Sequence, residues 1–228
     1  AASGATAAID TPDAEEILRQ AAAKGWAITD VWNTHWHPDH AGGNAAIKAA
    51  TGARVSGPAE VERIGTAPDR ILAEGDVVKL GAHEARVLDV GGHTLGHIAY
   101  VFDAEKIAFV GDALFALGCG RLFEGTPQQM WASLQKLAAL PAQSTLYCAH
   151  EYTLSNARFA ASVDGENDAL KARIGEIERL RAAGQPTVPM QLADEIATNP
   201  FLRAPKLLPQ LADWEAFAEI RKRKDAFK

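Results

Sequence analysis

The sequence predicts an α+β fold in which a part rich in strands comes first and a helical part follows. Residues 5–56 show strand, helix, strand, helix and strand patterns in turn. Residues 71–110 show short apolar runs divided by turn residues, as in a β meander. Beyond residue 150 only helical patterns recur. We therefore expect a first domain over residues 1–151 and a helical domain over residues 152–228.

The first elements are predicted from cap and turn residues. Residues 5–9 have the pattern of a short strand. Thr11 is expected to cap a helix with Pro12 at its first position, because that position needs no hydrogen-bond donor, and Gly25 is expected to end this helix. A strand at 28–32, a helix at about 43–50 and a strand at 54–56 follow.

The later elements alternate between short strands and longer helices. The meander should consist of strands at 77–80, 85–90, 98–102 and 106–110. Thr126 and Pro127 open a helix that runs to Leu137, and residues 144–148 form the last predicted strand. Amphipathic patterns predict helices at 167–183 and 213–227, joined by a proline-rich connection between residues 184 and 209.

The composition is typical of a soluble globular protein, with 47% hydrophobic and 23% charged residues among 228. No apolar stretch is long enough to span a bilayer, and the first residues lack a signal-peptide pattern. We expect a cytoplasmic monomer that binds no membrane. The net charge of −6 argues against general nucleic-acid binding, and two cysteines without a C-x-x-C motif argue against a disulfide framework.

The end of the chain is basic although the chain as a whole is acidic. Residues 201–228 contain seven Lys or Arg side chains and four acidic ones. Cations suit the C-terminal end of a helix, so this segment could be a solvated helix end. The alternative is an anion site for a small ligand that carries carboxylates.

Four residues of metal-ligand type lie within six positions directly after the apolar run at 28–32: His35, His37, Asp39 and His40. His35 and His37 are two positions apart, so in an extended segment both side chains project to the same side. Pro38 lacks a backbone donor, and we expect the chain to turn there before residues 41–44 lead into a helix. The motif could therefore supply ligands to two ions.

Further ligand types follow later strands. His93 comes after two glycines, where the backbone can approach a metal, and Asp112 and His150 follow the strands at 106–110 and 144–148. Two sets result, which are His35, His37 and His93 for one ion and Asp39, His40 and His150 for the other, with Asp112 bridging them. Histidines and carboxylates without a thiolate suit zinc, iron or manganese.

The order of these seven residues resembles the metallo-β-lactamase superfamily. Within it the chain resembles glyoxalase II, also called hydroxyacylglutathione hydrolase. The narrower resemblance rests on GCGRLFEGT at 118–126, CAHEYT at 148–153, TNPFLR at 198–203, and on Arg221, Lys224 and Asp225. These motifs span most of the chain, including its helical part.

The resemblance implies an αββα sandwich followed by a small helical domain that helps to hold glutathione. It implies two divalent ions, zinc first, with iron or manganese as alternatives. The implied reaction is hydrolysis of S-D-lactoylglutathione to glutathione and D-lactate, in methylglyoxal detoxification, by a hydroxide that bridges the ions and is oriented by Asp39 and Asp112. Arg121, Tyr152, Arg221 and Lys224 would contact glutathione.

The chain departs from the family pattern in three places. Arg121 stands where some members have lysine, and Phe123 stands where some have tyrosine. Family members also carry a pair of strands before the segment that corresponds to residues 5–10. Because this chain begins almost at that segment, we expect either that the sequence is a fragment or that this first pair of strands is missing.

Two other functions are compatible with part of the pattern. An iron-dependent glutathione persulfide dioxygenase would need only His35, His93 and Asp112 around one iron. A non-catalytic glutathione- or metal-binding protein could retain the same scaffold. Among the remaining candidates, His97 is expected to support the ligands or to pack, and Cys119 and Cys148 are expected to pack as buried thiols.

Overall fold

The computed structural model describes residues 4–227 and divides the chain into two compact units. The first unit contains the residues up to Asp89 together with Gly96–Glu105. The second contains Val90–Leu95 and the residues from Lys106 onward. Both strands and helices are present, which confirms the predicted α+β class. Each unit is described separately below.

The first unit opens with a parallel sheet and the helices beside it. Its elements are β1 (Ala7–Ile9), α1 (Ala14–Ala23), β2 (Asp30–Trp32), α2 (Pro38–Ala41), α3 (Asn44–Thr51), β3 (Arg54–Gly57), a 3-10 helix (Ala59–Ile64) and β4 (Arg70–Ile71). The strand order is β1-β2-β3-β4 and every pairing is parallel. Strand, helix and strand alternate here as the sequence predicts.

Apolar side chains from α1, α3 and the parallel strands form one core cluster. Val31 and Val55 point into it from neighbouring strands, and Ile47 enters from α3. Ile17 and Leu18 of α1 pack against the same cluster. The cluster therefore covers one face of the sheet, and it supports β2, the strand that precedes the histidine-rich segment.

An antiparallel ribbon completes the first unit. It consists of β5 (Val77–Leu80), β6 (His83–Asp89) and β7 (Ile98–Phe102), paired in sequence order. The ring of Trp32 in β2 lies 5.4 Å from the ring of Tyr100 in β7, and the Tyr100 hydroxyl donates to the carbonyl of Asn33 at 2.7 Å. These contacts fix the end of β2 against the ribbon.

The second unit contains the remaining strands and most of the helices. Its elements are β8 (Ile107–Gly111), β9 (Leu114–Phe115), β10 (Gly118–Cys119), α4 (Pro127–Ala138), β11 (Thr145–Cys148), α5 (Thr153–Asp164), α6 (Asp168–Ala182), β12 (Met190–Gln191), α7 (Leu192–Thr198), α8 (Ala204–Leu207) and α9 (Asp213–Ala226). β8 pairs in parallel with β11, β12 pairs antiparallel with β11, and β9 and β10 form a short hairpin. α9 packs against α4 and α8, and α6 packs against α5 and α7.

The structure corrects the expected cap of α1. Asp13 caps this helix, and its carboxylate accepts the backbone N–H of Glu16 at 3.0 Å. Thr11 instead is buried and donates its hydroxyl to the side-chain oxygen of Asn44 at 2.7 Å. Pro12 consequently lies outside the helix. Aspartate caps helices at least as well as threonine. Asp13, which directly precedes the helix, is therefore the cap, while Thr11 forms buried hydrogen bonds.

The proline-rich connection between residues 184 and 209 contains regular elements, and the expectation that only helices follow residue 150 is wrong. This segment contains β12, α7 and α8, and β12 adds a strand after residue 150. A strand of two residues is too short to show alternation, although Met190 and Leu192 are buried. The helix α5 also went unpredicted. None of the helices in the described part of the chain has the length and apolar character needed to cross a bilayer.

We expect Ile47→Ala to lower the free energy of unfolding by about 2–5 kcal/mol, because it opens a cavity in a fully buried position. The measurement is urea denaturation followed by circular dichroism. Ile196→Ala is the matched control, since that side chain is on a helix but 39% exposed. Equal losses in the two variants would contradict the position of the core cluster.

Candidate metal centre

The histidine-rich segment follows β2 in the first unit. His35 and His40 are buried, His37 is half-buried and Asp39 is exposed. The chain turns at Pro38 as predicted, but it enters a helix at once, because Pro38 is the first residue of the one-turn helix α2. The ring of His35 lies 4.7 Å from that of His37 and 4.0 Å from that of His40. The three imidazoles of the motif are therefore neighbours.

Single atoms of His35 and His37 approach closely. The Nε2 atom of His35 and the Nδ1 atom of His37 are 3.0 Å apart. The Nε2 atom of His40 is 3.8 Å from a carboxylate oxygen of Asp39. The segment thus brings together one ring nitrogen each from His35 and His37. Separately, it brings together a ring nitrogen of His40 and a carboxylate oxygen of Asp39. The division of the motif between two ions stays a prediction.

Hydrogen bonds behind the imidazoles select their tautomers. Asp10 is buried, and its carboxylate accepts the backbone N–H and the hydroxyl of Thr34, each at 2.8 Å. Because the Thr34 hydroxyl gives its hydrogen to Asp10, its oxygen accepts from Nδ1 of His35 at 3.0 Å. Asp10 also accepts from Nδ1 of His40 at 2.8 Å. In both histidines Nε2 then carries the lone pair that a cation needs.

The other three predicted ligands lie in the second unit. Asp112 follows β8 and is 7% exposed. One oxygen of its carboxylate lies 3.4 Å from Nε2 of His93, and the other lies 3.5 Å from Nε2 of His150. The Asp112 carboxylate therefore lies between the imidazoles of His93 and His150.

His93 is oriented by the backbone of a neighbouring segment. Its Nδ1 atom donates to the carbonyl of Arg121 at 2.8 Å, which again leaves the lone pair on Nε2. Gly120 makes this approach possible. A Cβ atom at that position would lie 2.1 Å from the carbonyl oxygen of Asp112 and 3.0 Å from Nδ1 of His93. The glycine lets the chain pass directly behind two candidate ligands.

The four residues expected to contact glutathione all lie in the second unit. Arg121 is exposed, with Nε 3.9 Å from the carboxylate of Asp225. The ring of Tyr152 is 51% exposed and stacks on that of His150 at 5.0 Å. Lys224 is half-buried and donates to the carbonyl of Ser155 at 3.2 Å.

Arg221 differs from these residues because it is buried. Its guanidinium donates to the carbonyl of Cys119 at 3.0 Å and to the carboxylate of Asp225 at 2.8 Å, and it lies 4.9 Å from the Phe201 ring. The sequence grouped Arg221 with Lys224 on one helix face, yet the structure engages Arg221 with the backbone of β10. Substitution of Arg221 therefore disturbs internal contacts as well as any contact to a ligand.

The remaining candidates behave as packing groups. His97 is buried and its ring stacks on that of His35 at 4.6 Å. Burial raises the pKa of the Cys119 thiol to about 11, although the nearby Arg221 acts in the opposite direction. Burial likewise raises the pKa of the Cys148 thiol to about 12. Neither thiol is activated as a nucleophile.

Asp10 is the site residue that the sequence did not reveal. The only available signal was an aspartate at the end of a predicted strand, which is common in proteins. Its role depends on Thr34 and His40, which lie 24 and 30 positions further along the chain. Its backbone has a φ of 57°, a left-handed conformation that aspartate adopts more readily than most residues do.

The donor set fits divalent metal ions. Imidazoles fixed in one tautomer and carboxylates, with no thiolate among the described candidates, are the ligands of catalytic zinc sites and of iron or manganese sites. The histidines and aspartates of the motif therefore could hold metal, with Asp10, Thr34 and the Arg121 carbonyl orienting them.

Comparison with known families supports the same chemistry. Residues 4–150 match the family model described as metallo-beta-lactamase superfamily, and residues 151–227 match the model described as hydroxyacylglutathione hydrolase C-terminus. The chain is 58% identical to a hydroxyacylglutathione hydrolase of Erythrobacter litoralis over 230 residues, covering 99% of this chain and 91% of that protein.

Two solved structures show a similar fold. ETHE1 from Myxococcus xanthus is 25% identical with a TM-score of 0.69, covering 97% of this chain and 81% of that one. TTHA1623 in a di-iron-bound form is 25% identical with a TM-score of 0.60, covering 85% of this chain and 88% of that one. Together with the family-model match over residues 4–150, these similarities confirm the predicted metallo-β-lactamase fold.

We expect both cysteines to react with iodoacetamide at pH 8 on the order of 100-fold more slowly than free cysteine, because the thiolate is the reactive form. Mass spectrometry of labelled native protein measures the rates, with N-acetylcysteine as the reference thiol. In denaturant both thiols should label fully. Labelling of either native thiol at the rate of the reference would contradict its raised pKa.

Proposed function

The chain belongs to the hydroxyacylglutathione hydrolases of the metallo-β-lactamase superfamily, and from this we propose that it hydrolyses S-D-lactoylglutathione to glutathione and D-lactate. It is an enzyme that acts on glutathione thioesters, as the curated relatives with this name indicate. The identity of the acyl group and the role in methylglyoxal detoxification are our inference from the family. A thioester is a suitable substrate because a thiol with a pKa of about 8.5 leaves readily.

The observation that carries the proposal is the orientation of the imidazoles. Nδ1 of His35, His40 and His93 is engaged by Thr34, Asp10 and the Arg121 carbonyl, respectively. Each Nε2 is thereby committed to accept rather than donate. In a histidine that only packs or lies at the surface, either ring nitrogen can carry the proton. In a metal ligand, the nitrogen that binds the metal must be unprotonated, and a hydrogen bond at the other nitrogen ensures this.

We propose that His35, His37 and His93 hold one ion, that Asp39, His40 and His150 hold the other, and that Asp112 contacts both. The donor set suits zinc, with iron or manganese as alternatives, and the solved structure of TTHA1623 contains two irons. When bound, such ions lower the pKa of a water molecule to roughly 7 and polarise the substrate carbonyl.

The protein itself contributes orientation and binding. Asp112, between His93 and His150, and Asp39, beside His40, supply carboxylates that accept a proton or a hydrogen bond from water. Arg121, Tyr152 and Lys224 offer exposed or half-exposed cationic and aromatic groups for the glutathione moiety. We propose that residues 152–228 form the glutathione-binding domain and residues 1–151 the catalytic one.

Two expectations about the setting remain predictions. A cytoplasmic location suits the two free cysteines, because thiols persist in a reducing compartment. A monomeric state is also still a prediction. Binding of nucleic acid is not expected for a chain with a net charge of −6.

We expect Asp112→Asn to abolish hydrolysis of S-D-lactoylglutathione and to reduce the metal content, because the amide keeps the shape but loses the charge between His93 and His150. The measurements are thioester hydrolysis, followed by loss of absorbance, and elemental analysis of the same preparations. Asp103→Asn is the control, since that carboxylate is exposed and pairs with Arg86 at 2.6 Å.

The same assay separates the rival functions. Wild-type protein should hydrolyse glutathione thioesters faster than coenzyme A thioesters and should contain two metal ions per chain. A single tightly bound iron together with oxygen consumption on glutathione persulfide would overturn the hydrolase proposal. Fully metallated protein without any thioester turnover would instead indicate a binding protein.

A second prediction concerns the pH dependence of glutathione binding. Burial lowers the pKa of Lys224, and the positive charges of Arg221 and Arg121 act in the same direction. The ammonium is therefore lost at a lower pH than in an ordinary lysine, and its attraction for a carboxylate is lost as pH rises through this lowered pKa. Affinity for S-methylglutathione should begin to fall correspondingly early.

Isothermal titration calorimetry between pH 7 and pH 10 measures this affinity. Lys224→Arg is the matched variant, because a guanidinium stays protonated throughout the range. The glutathione amino group titrates equally in both experiments and cancels from the comparison. Parallel profiles for wild type and Lys224→Arg would show that Lys224 does not contact the ligand.

A further inference from the structure

The short hairpin of residues Leu114–Cys119 has an unfavourable turn. β9 and β10 pair with the register Phe115 to Gly118, so only Ala116 and Leu117 connect them. Leu117 has a φ of 56°, which is a left-handed conformation that costs a branched, apolar residue free energy. The hairpin therefore needs contacts from elsewhere to hold its shape.

One set of such contacts is apolar. The side chain of Leu117 is fully buried in a cluster with Ala157 and Ala160 of α5 and with Leu170 and Ile177 of α6. The tip of the hairpin is thereby inserted between two helices of the C-terminal region. Burial of the Leu117 side chain stabilises this position and so offsets the strain of the turn.

The second set consists of hydrogen bonds from three side chains, which we call the clamp: Asn156, Glu195 and Asn199. Asn156 donates to the carbonyl of Ala116 at 3.0 Å, and Glu195 accepts the N–H of Leu117 at 2.9 Å. Asn199 donates to the carbonyls of Phe115 at 3.2 Å and Gly118 at 3.0 Å. All three clamp residues are buried.

The clamp is itself fixed by further bonds. The amide nitrogen of Asn199 also lies 2.9 Å from the carboxylate of Glu195, and its amide oxygen accepts the N–H of Phe201 at 2.9 Å. Arg173 forms an ion pair with Glu195. Because each side chain has defined partners, the clamp can impose one position on the hairpin.

The hairpin is continuous with the candidate metal ligands. Asp112 is two residues before Leu114, and the ring of Phe115 lies 6.1 Å from that of His150. At the other end, Gly120 passes behind Asp112 and His93, where a Cβ atom would collide with the Asp112 carbonyl. A displaced hairpin would therefore displace Asp112, His93 and His150 together.

We propose that Asn199 and Glu195, supported by Asn156, are positioning residues that set the geometry of Asp112, His93 and His150 through the hairpin. The proposal rests on the proposed function, in which these three residues are metal ligands. Asn199 belongs to the TNPFLR motif, and none of the residues that we expect to contact glutathione lies in that motif. The helical region thus serves the catalytic centre as well as the substrate.

The test compares Asn199→Ala with Leu137→Ala, a core truncation in α4 at a fully buried position outside the hairpin and the clamp. Both variants should lose stability, which is measured by urea denaturation. Zinc affinity of the metal-free proteins is measured by competition with a chelator, and kcat and KM are measured with S-D-lactoylglutathione.

We expect Asn199→Ala to weaken zinc binding and to lower kcat, each by about tenfold or more, while KM changes by less than about threefold. Leu137→Ala should retain wild-type zinc affinity and kcat. Equal zinc affinity and equal kcat in the two variants would overturn the proposal. If Asn199→Ala does not fold, Asn156→Ala decides by the same comparison, with smaller losses in the same direction.

The zinc measurement distinguishes failure of the clamp proposal from failure of the proposed function. If the wild-type protein binds two zinc ions but hydrolyses no thioester, the proposed substrate is wrong and the affinities still test the clamp. If thioester hydrolysis is present and Asn199→Ala binds zinc like wild type, the clamp is wrong and the proposed function stands.

Discussion

The candidate site depends on the hydrogen bonds that orient its imidazoles. Asp10 is the central acceptor in the first unit, since it receives hydrogen bonds from Thr34 and from His40. In the second unit the Arg121 carbonyl has the same role toward His93. A histidine without such a partner would distribute its proton between two nitrogens and its ring between several orientations. The tautomers are therefore set by hydrogen bonds within the fold.

The second unit shows how a helical region can stabilise a strained catalytic loop. The hairpin of residues Leu114–Cys119 gains little from its own two pairs of strand residues. It gains more from the buried Leu117 side chain and from the polar side chains of α5 and α7 that hold its backbone. Buried polar groups are costly unless they are fully bonded, so this arrangement also specifies a single position for the hairpin.

The parts of the structure that the sequence predicts are those with local signals. The helix predicted at about 43–50 and the Thr126-Pro127 start of α4 each depend on a few neighbouring residues, and both helices exist. Asp10, Glu195 and Asn199 were not assigned roles because their partners are distant in sequence. Asp13 replaced Thr11 as a cap for a related reason, since burial of Thr11 beside Asn44 depends on the tertiary structure.

The high pKa of both thiols has a consequence for a protein that handles glutathione. Mixed disulfides form when a thiolate attacks a disulfide, so a thiol that is almost wholly protonated at neutral pH exchanges slowly. Burial raises the pKa of Cys119 to about 11 and that of Cys148 to about 12. During oxidative stress, when glutathione disulfide accumulates, neither cysteine is a ready target for S-glutathionylation. The hairpin that carries Cys119 is therefore not displaced by S-glutathionylation under conditions in which glutathione becomes oxidised.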